Sequence, residues 1–234
     1  MTAQTATAIL TKSYQDAGKL ARGGTLSADM LADGIDRMND LINLWQTQGL
    51  RLWLESEVTM PLVSGKQMYS FAPAGDVVMS RPLRIKAATY WDSQSNARSL
   101  LPISRDEWTR LSNRTIPGSV NQYFVEKLAG QLNLYLWQLP DATAATGTLK
   151  VVVQNQAGQV VIGSDTPSFP PEWTLALRWG VADEICTGMP TEIIERCAAK
   201  AIGYRSVLDD WDVEDAETYF QPDMRSYGRS GSFR

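Results

Sequence analysis

SADMLADGIDRMNDLINLWQTQGLRLWLESEVTMPL, residues Ser27 to Leu62, changes its apolar period partway along, and that change decides the fold. In the first half Leu31, Ile35, Met38, Ile42 and Trp45 step by four and three, which puts one apolar stripe on a helix. Ser27 suits the N-cap and Asp29 the first turn, and Gly49 is the expected stop. Past that glycine Leu52 and Leu54 alternate, and so do Val58, Met60 and Leu62, the period of a half-buried strand. A helical zone therefore hands over to a β zone near residue 50.

Upstream, Ile9, Leu10, Tyr14, Ala17 and Leu20 predict another helix, stopped by Gly23-Gly24, and the short link favours an antiparallel pair. Downstream the alternation continues in Leu83, Ile85 and Ala87, in Leu132, Leu134 and Leu136, and in Leu149, Val151 and Val153. Gly65, residues 73–76, Ala129-Gly130 and Thr146-Gly147 punctuate these runs as turns, and Gly130 reads as a hairpin tip. Ser104-Arg105-Asp106-Glu107 is a capping box that opens a short helix carrying Trp108 and Leu111. Helical spacing returns at Pro170-Pro171-Glu172, since proline is favoured in a first helical turn. Trp173, Leu177, Gly180-Val181 and Ile185 carry that helix toward Gly188 and Pro190. Thr191 caps the last one, on which Ile194, Cys197, Ala201, Tyr204, Leu208 and Trp211 form a stripe that reaches toward Asp215.

The expected fold class is α+β: a helical bundle from N- and C-terminal helices, an inserted antiparallel β-sandwich or barrel-like domain, and an extended C-terminal tail. The zones are 1–49 (helical pair), 50–162 (β-rich), 163–217 (helices packing on the first pair) and 218–234 (tail).

The 234 residues carry 44% hydrophobic side chains and a net charge of −4, enough apolar material for a core without metal or disulfide staples. No dense basic run is present to replace phosphate counterions, which speaks against sequence-specific DNA binding. The N-terminal stretch has no signal-peptide pattern, and no apolar run reaches the roughly 20 residues of a membrane span. The chain has no histidine, so Ser-His-Asp and Cys-His catalysis and histidine metal sites are excluded together. Cys186 and Cys197 lack the further ligands zinc requires and read as buried free thiols. The glycines form neither a P-loop nor a dinucleotide fingerprint. Carboxylates alone could serve glycoside hydrolysis, but Asp106/Glu107 read as capping residues and Asp209/Asp210 as a solvated face. No catalytic residue, cofactor or metal site is expected.

Two features are left for function. Asp209, Asp210, Asp212, Glu214 and Asp215 make an acidic patch suited to contact between subunits. The tail TYFQPDMRSYGRSGSFR (Thr218–Arg234) sets Tyr219, Phe220, Tyr227 and Phe233 among Arg225, Arg229 and Arg234, with no helical or alternating period. Ordering such a segment costs about 1–2 kcal/mol per residue, and burying one aromatic returns about 1.5–3 kcal/mol. Docking thus needs backbone hydrogen bonds as well, or many copies acting together.

The order of parts resembles a known family. INLWQTQGLRLW (42–53) leads into RPLRIKAATY (81–90), LPISRDEWTRL (101–111), IPGSVNQYFVEKLAGQLNLYLWQLP (116–140), PPEWTLALRWGVADEI (170–185) and finally YFQPD (219–223). From about Ala6 to Arg234 this is similar to the head-to-tail adaptors of short-tailed phages, also called tail accessory factors or packaged-DNA stabilisation proteins. Tail-tube proteins of related phages share the architecture. The resemblance implies a structural virion protein at the head–tail junction, made in the host cytoplasm. It implies a homo-oligomeric ring, usually of twelve copies, that surrounds the exit path of double-stranded DNA. The portal protein would take Tyr219, Phe220, Arg225, Tyr227, Arg229 and Phe233, and a tail nozzle or tail-tube protein would seat on the β-domain. No enzyme activity and no membrane partner are implied. The competing expectations are a tail-tube or nozzle subunit, and a virion-associated peptidoglycan hydrolase using carboxylates.

Overall fold

The computed structural model describes residues 4–48 and 54–211. The helical zone opens with α1 (Ala6–Asp16) and α2 (Ala28–Thr47). The β zone holds β1 (Glu55–Pro61), β2 (Met68–Ala72), β3 (Val77–Val78), β4 (Arg84–Trp91), β5 (Ala97–Ser99) and β6 (Leu101–Pro102). After α3 (Arg105–Arg110) come β7 (Pro117–Gly118), β8 (Gln122–Lys127), β9 (Leu132–Trp137), β10 (Leu139–Pro140) and β11 (Thr148–Gln154). A 3-10 turn then leads into α4 (Thr174–Ile185), and α5 (Thr191–Trp211) closes the described chain.

The chain is an α+β protein. Its sheets are mainly antiparallel, in the orders β1-β11-β4-β5 and β3-β2-β9-β8-β6, with β10 and β7 as a small third pair. The two-residue partners β3, β6 and β7 pair in parallel. Among the described residues neither larger sheet closes on itself, so the barrel-like alternative is overturned.

Several elements follow directly from local chemistry. Ser27 accepts from the Met30 amide at the start of α2, and Ser104 and Glu107 form the reciprocal capping box of α3. The β8–β9 hairpin turns at residues 128–131, closed by the Leu128 amide donating to the Gln131 carbonyl at 2.9 Å.

Two expectations are corrected. Helix α1 ends at Asp16, well before Gly23-Gly24, because Gly18 adopts φ +76. The Gly18 amide donates to Gln15 and the Lys19 amide to Tyr14, the paired bonds of a Schellman stop. In β4 the inward set is not Leu83, Ile85 and Ala87. The β11 register shifts between Val152 and Val153, so Ile85 faces Val153 while Ala88 and Tyr90 face Val151 and Leu149. A bulge reverses which parity points inward, and Ala87 is exposed. The last strand stops at Gln154. Beyond it Asn39 and Gln46 of α2 hold the chain: the Asn39 side chain bonds both the amide and the carbonyl of Val160 (3.0 and 2.8 Å), and the Gln46 Oε1 accepts from the Ala157 amide (2.8 Å). The side chains of a helix thus supply the partners that a neighbouring strand would give.

Two apolar clusters organise these elements. The first gathers Ile9, Leu10 and Tyr14 of α1, Met38, Ile42 and Trp45 of α2, Leu177, Val181 and Ile185 of α4, and Cys197 of α5, with Ala157 and Val160. The second takes Leu149, Val151, Val153, Ala88 and Tyr90 from one larger sheet, and Tyr69, Phe71, Leu132, Leu134 and Leu136 from the other.

At Gly180 of α4 an added Cβ would stand 2.6 Å from Leu41 Cδ2 and 3.1 Å from Trp45 Cζ2. Gly180→Val is expected to cost about 1–3 kcal/mol through overpacking, read as a lower urea midpoint at unchanged m-value. In the β region Asp76 receives the Ser70 amide (2.9 Å) and hydroxyl (3.0 Å) and pairs with Lys66. The Lys66 hydrogen bond, then the Ser70 amide, hold its carboxyl below the usual range. Such a group stabilises the fold above the unfolded carboxylate pKa and loses that contribution as pH falls through the folded one. Asp76→Asn is expected to cost about 1–2 kcal/mol at neutral pH. Its gap to the wild type should close on acidification below about pH 4, which parallel urea titrations would follow.

Candidate docking surface

Four of the exposed large hydrophobic side chains among the described residues, Ile194, Ile202, Val207 and Trp211, lie on α5. Inward, Cys197 is fully buried, and Ile193, Ala201, Tyr204 and Leu208 pack half-buried on the helical cluster. This is the predicted stripe with its two ends corrected. Ile193 takes the place expected for Ile194, which is exposed, and Trp211 stands 66% exposed at the end of the described helix. The stripe continues past the point where α1, α2 and α4 can cover it.

Outward, Ile202 is 70% and Val207 66% exposed. Between and beside them lie Ala199, Gly203 and Ser206, all exposed, and the space where a Gly203 Cβ would sit is open. Small residues one helical turn apart allow another backbone to approach closely. The residues Ile202 and Val207 were not singled out from the sequence. An apolar stripe marks the positions that point inward, and an apolar residue on the opposite face leaves no separate periodic signal.

The flanks of this face are fixed by charge. The Arg205 guanidinium lies 5.0 Å from the Trp45 ring and its Nε bonds Asp209 at 3.2 Å. The Lys200 ammonium sits 4.4 Å over the buried Trp179 ring. At the start of α5, Arg196 donates to the Asp16 carbonyl at 2.8 Å, beside the Arg178–Asp16 ion pair at 2.5 Å. These contacts hold α5 against α1, α2 and α4.

Of the acidic patch, Asp209 is half-buried and paired with Arg205, and Asp210 is exposed at the edge of the outer face. Asp212, Glu214 and Asp215 lie outside the described residues, as do the tail residues Tyr219, Phe220, Arg225, Tyr227, Arg229 and Phe233. The structure therefore places the helix that leads to the tail and not the tail.

A second feature is an acidic cleft of about 380 Å³ lined by Asp33, Asp36, Arg37, Asp40, Leu44 and Glu184. Arg37 donates to Asp33 at 3.0 Å and to the Glu184 carbonyl at 2.8 Å, joining α2 to α4. The Arg37 hydrogen bond holds the Asp33 carboxyl below its ordinary range. The Tyr14 hydroxyl reaches the same carboxylate at 3.2 Å, and burial, then the Asp33 charge, push its pKa up.

The carboxylates weighed for hydrolysis serve the backbone and nearby cations. Glu107 accepts the Ser104 amide at 2.7 Å, and Asp106 pairs with Arg110 at 3.1 Å. Among the described residues no group of Cys, Asp and Glu is placed to hold a metal ion, and no helix is long and apolar enough to cross a membrane.

No protein-family model matches the chain, and no curated protein matches it.

Replacing Ile202 and Val207 together by serine is expected to leave the folded monomer within about 0.5 kcal/mol of the wild type, as surface substitutions usually do. A loss of several kcal/mol in urea unfolding would mean that the face is packed within the monomer.

Proposed function

We propose that this chain is a head-to-tail adaptor of a short-tailed phage. Copies form a ring beneath the portal, help retain the packaged DNA and give the tail its attachment platform. In this reading the N- and C-terminal helices form a bundle that makes the ring wall. The two larger sheets form a sandwich directed to a nozzle or tail-tube protein. Residues 218–234 extend as an arm to the portal. The protein is made in the host cytoplasm and acts in the virion, without catalysis or cofactor.

The observation that carries the reading is the outer face of α5. A long helix tied by charged contacts to its own bundle presents Ile202, Val207 and Trp211 to its surroundings and points the chain toward an aromatic and arginine-rich tail. Exposed apolar residues grouped on one element mark an interaction surface. The order of sequence segments, which resembles that of the adaptor family, supports the same reading. A weakly acidic surface, including the Asp36 and Asp40 cleft, suits a wall that DNA passes without adhering.

The test is the assembled mass of the full chain, and of a chain cut after Thr218, each alone and with the cognate portal ring. A large defined complex that forms only with the intact tail is expected. Equal docking of the cut chain, or no complex with either form, would overturn the assignment.

A further inference from the structure

The two larger sheets share one strip of chain along an edge. Ala97–Ser99 first pair with Thr89–Trp91 of β4, and the Leu100 amide donates to the Ala88 carbonyl at 2.9 Å. The chain then crosses to the other sheet. There Leu101 and Pro102 lie beside Gln122 and Tyr123 of β8, and the Ile103 amide donates to the Tyr123 carbonyl at 2.9 Å. At Ser104 it leaves the sheets as the N-cap of α3. Among the described residues no strand takes its place, so residues 84–87 of β4 and 124–127 of β8 have no neighbouring strand on this side.

The hydrogen-bonding phase of β8 is fixed by its partners. Tyr123 turns its carbonyl to Ile103, and successive peptide groups alternate sides along a strand. Val125 and Lys127 therefore turn their N–H and C=O groups to the open side. Their positions opposite Leu134 and Leu132 of β9 are the non-hydrogen-bonded ones of that ladder. The Leu128 amide, which closes the hairpin on the Gln131 carbonyl, keeps the same phase.

These groups face a cleft of about 530 Å³ whose walls include Ile85, Lys86, Ile103, Arg105, Val125 and Lys127. Ile85 and Val125 are half-buried against the second apolar cluster. Lys127 shares the face of Val125, two residues along. Lys86 is answered by Glu55 at 2.7 Å, and Arg105 by Glu126 at 2.7 Å. Lys127 is exposed and pairs with no described carboxylate. A lysine on an open edge guards against pairing with uncharged strands. The same charge admits a strand that brings a carboxylate to it.

We propose that the open edge of β8 is a strand-addition site for an extended acidic segment of a partner protein. The segment's backbone takes the free N–H and C=O groups of Val125 and Lys127, the source of affinity in β-augmentation. Its alternate side chains give selectivity: an apolar one over Ile85 and Val125, then, two residues along, a carboxylate at Lys127. That the partner is the tail protein seated on the β region rests on the adaptor reading. The site itself is read on the isolated chain, so the two can fail separately.

The experiment titrates the folded full-length chain into a short fluorescent peptide with threonine at alternate positions and valine and glutamate in turn at the others. Saturable binding is expected, with slowed amide exchange at Val125 and Lys127 by NMR. A peptide with lysine for glutamate should bind more weakly. Two further peptides, N-methylated on one or the other alternate set of residues, should separate: the set facing β8 abolishes binding and the other spares it. Lys127→Ser, an exposed change that leaves the fold in place, should weaken the acidic peptide about two- to fivefold, the range of a surface ion pair, and narrow its advantage over the lysine peptide. Absence of saturation, equal binding of the acidic and lysine peptides, equal effects of the two methylated sets, or protection confined to other amides would each overturn the site. Tighter binding to a chain cut after Trp211 would show that the chain's own acidic run occupies the edge and would overturn its assignment to a partner.

Discussion

Helix α4 is enclosed on nearly every side, and the helical half of the protein depends on that enclosure. Ala176, Leu177, Trp179, Gly180, Val181, Ala182 and Ile185 are all buried, and they cover more of the circumference than one amphipathic stripe. Such a helix is not stable alone and needs neighbours all round. Gly180 is the point of closest approach, where Leu41 and Trp45 of α2 occupy the space of a side chain. Trp45 in turn meets Trp173 (ring centroids 5.9 Å apart) and Phe169 (6.5 Å), which closes the N-terminal end of α4. Because the sequence puts α2 and α4 on either side of the β region, their packing obliges that whole region to leave and return at one edge of the bundle.

The return is made by polar contacts. Gln154, at the end of β11, is buried with its Oε1 accepting from Arg84 Nε at 2.6 Å and its amide nitrogen 3.5 Å from the Gln46 carbonyl. The Gln46 side chain takes the Ala157 amide, and Asn39 takes Val160 further along α2. Buried amides left unsatisfied are costly, so these pairings fix the angle at which β11 meets α2 more strictly than apolar contact would.

Much of this was legible in residue patterns. The α2 stripe, the Ser104 capping box, the Gly130 hairpin and the alternation of Leu132, Leu134 and Leu136 are local signals, and the structure realises each. What escaped depends on tertiary geometry. The stop of α1 at Gly18, where Met189 and Ile193 approach from the far end of the chain, competes in sequence with the more conspicuous Gly23-Gly24. The β4 bulge is set by its β11 partner, and no feature of Leu83, Ile85 and Ala87 announces it. In the candidate surface, the inward stripe of α5 could be read but its outer face could not, since Ile202 and Val207 interrupt a polar and small-residue face without any period of their own.

The energetics of that outer face favour assembly in closed multiples. Fully covering one large aliphatic or aromatic side chain is worth roughly 1.5–3 kcal/mol. Ile202 and Val207 expose about two thirds of their surface, so covering both returns about 2–4 kcal/mol on the same scale. Loss of rigid-body freedom on association costs about 4–15 kcal/mol. One such contact therefore falls short of a stable pair. In the proposed ring each subunit makes two neighbour contacts, and in closing a ring of n subunits n contacts form for n−1 losses of rigid-body freedom. Seating on a preformed portal ring would add the arms of all copies at high effective concentration. In the proposed assembly this face would therefore add to the portal contacts and would not hold the ring by itself, which ties assembly to the presence of the portal.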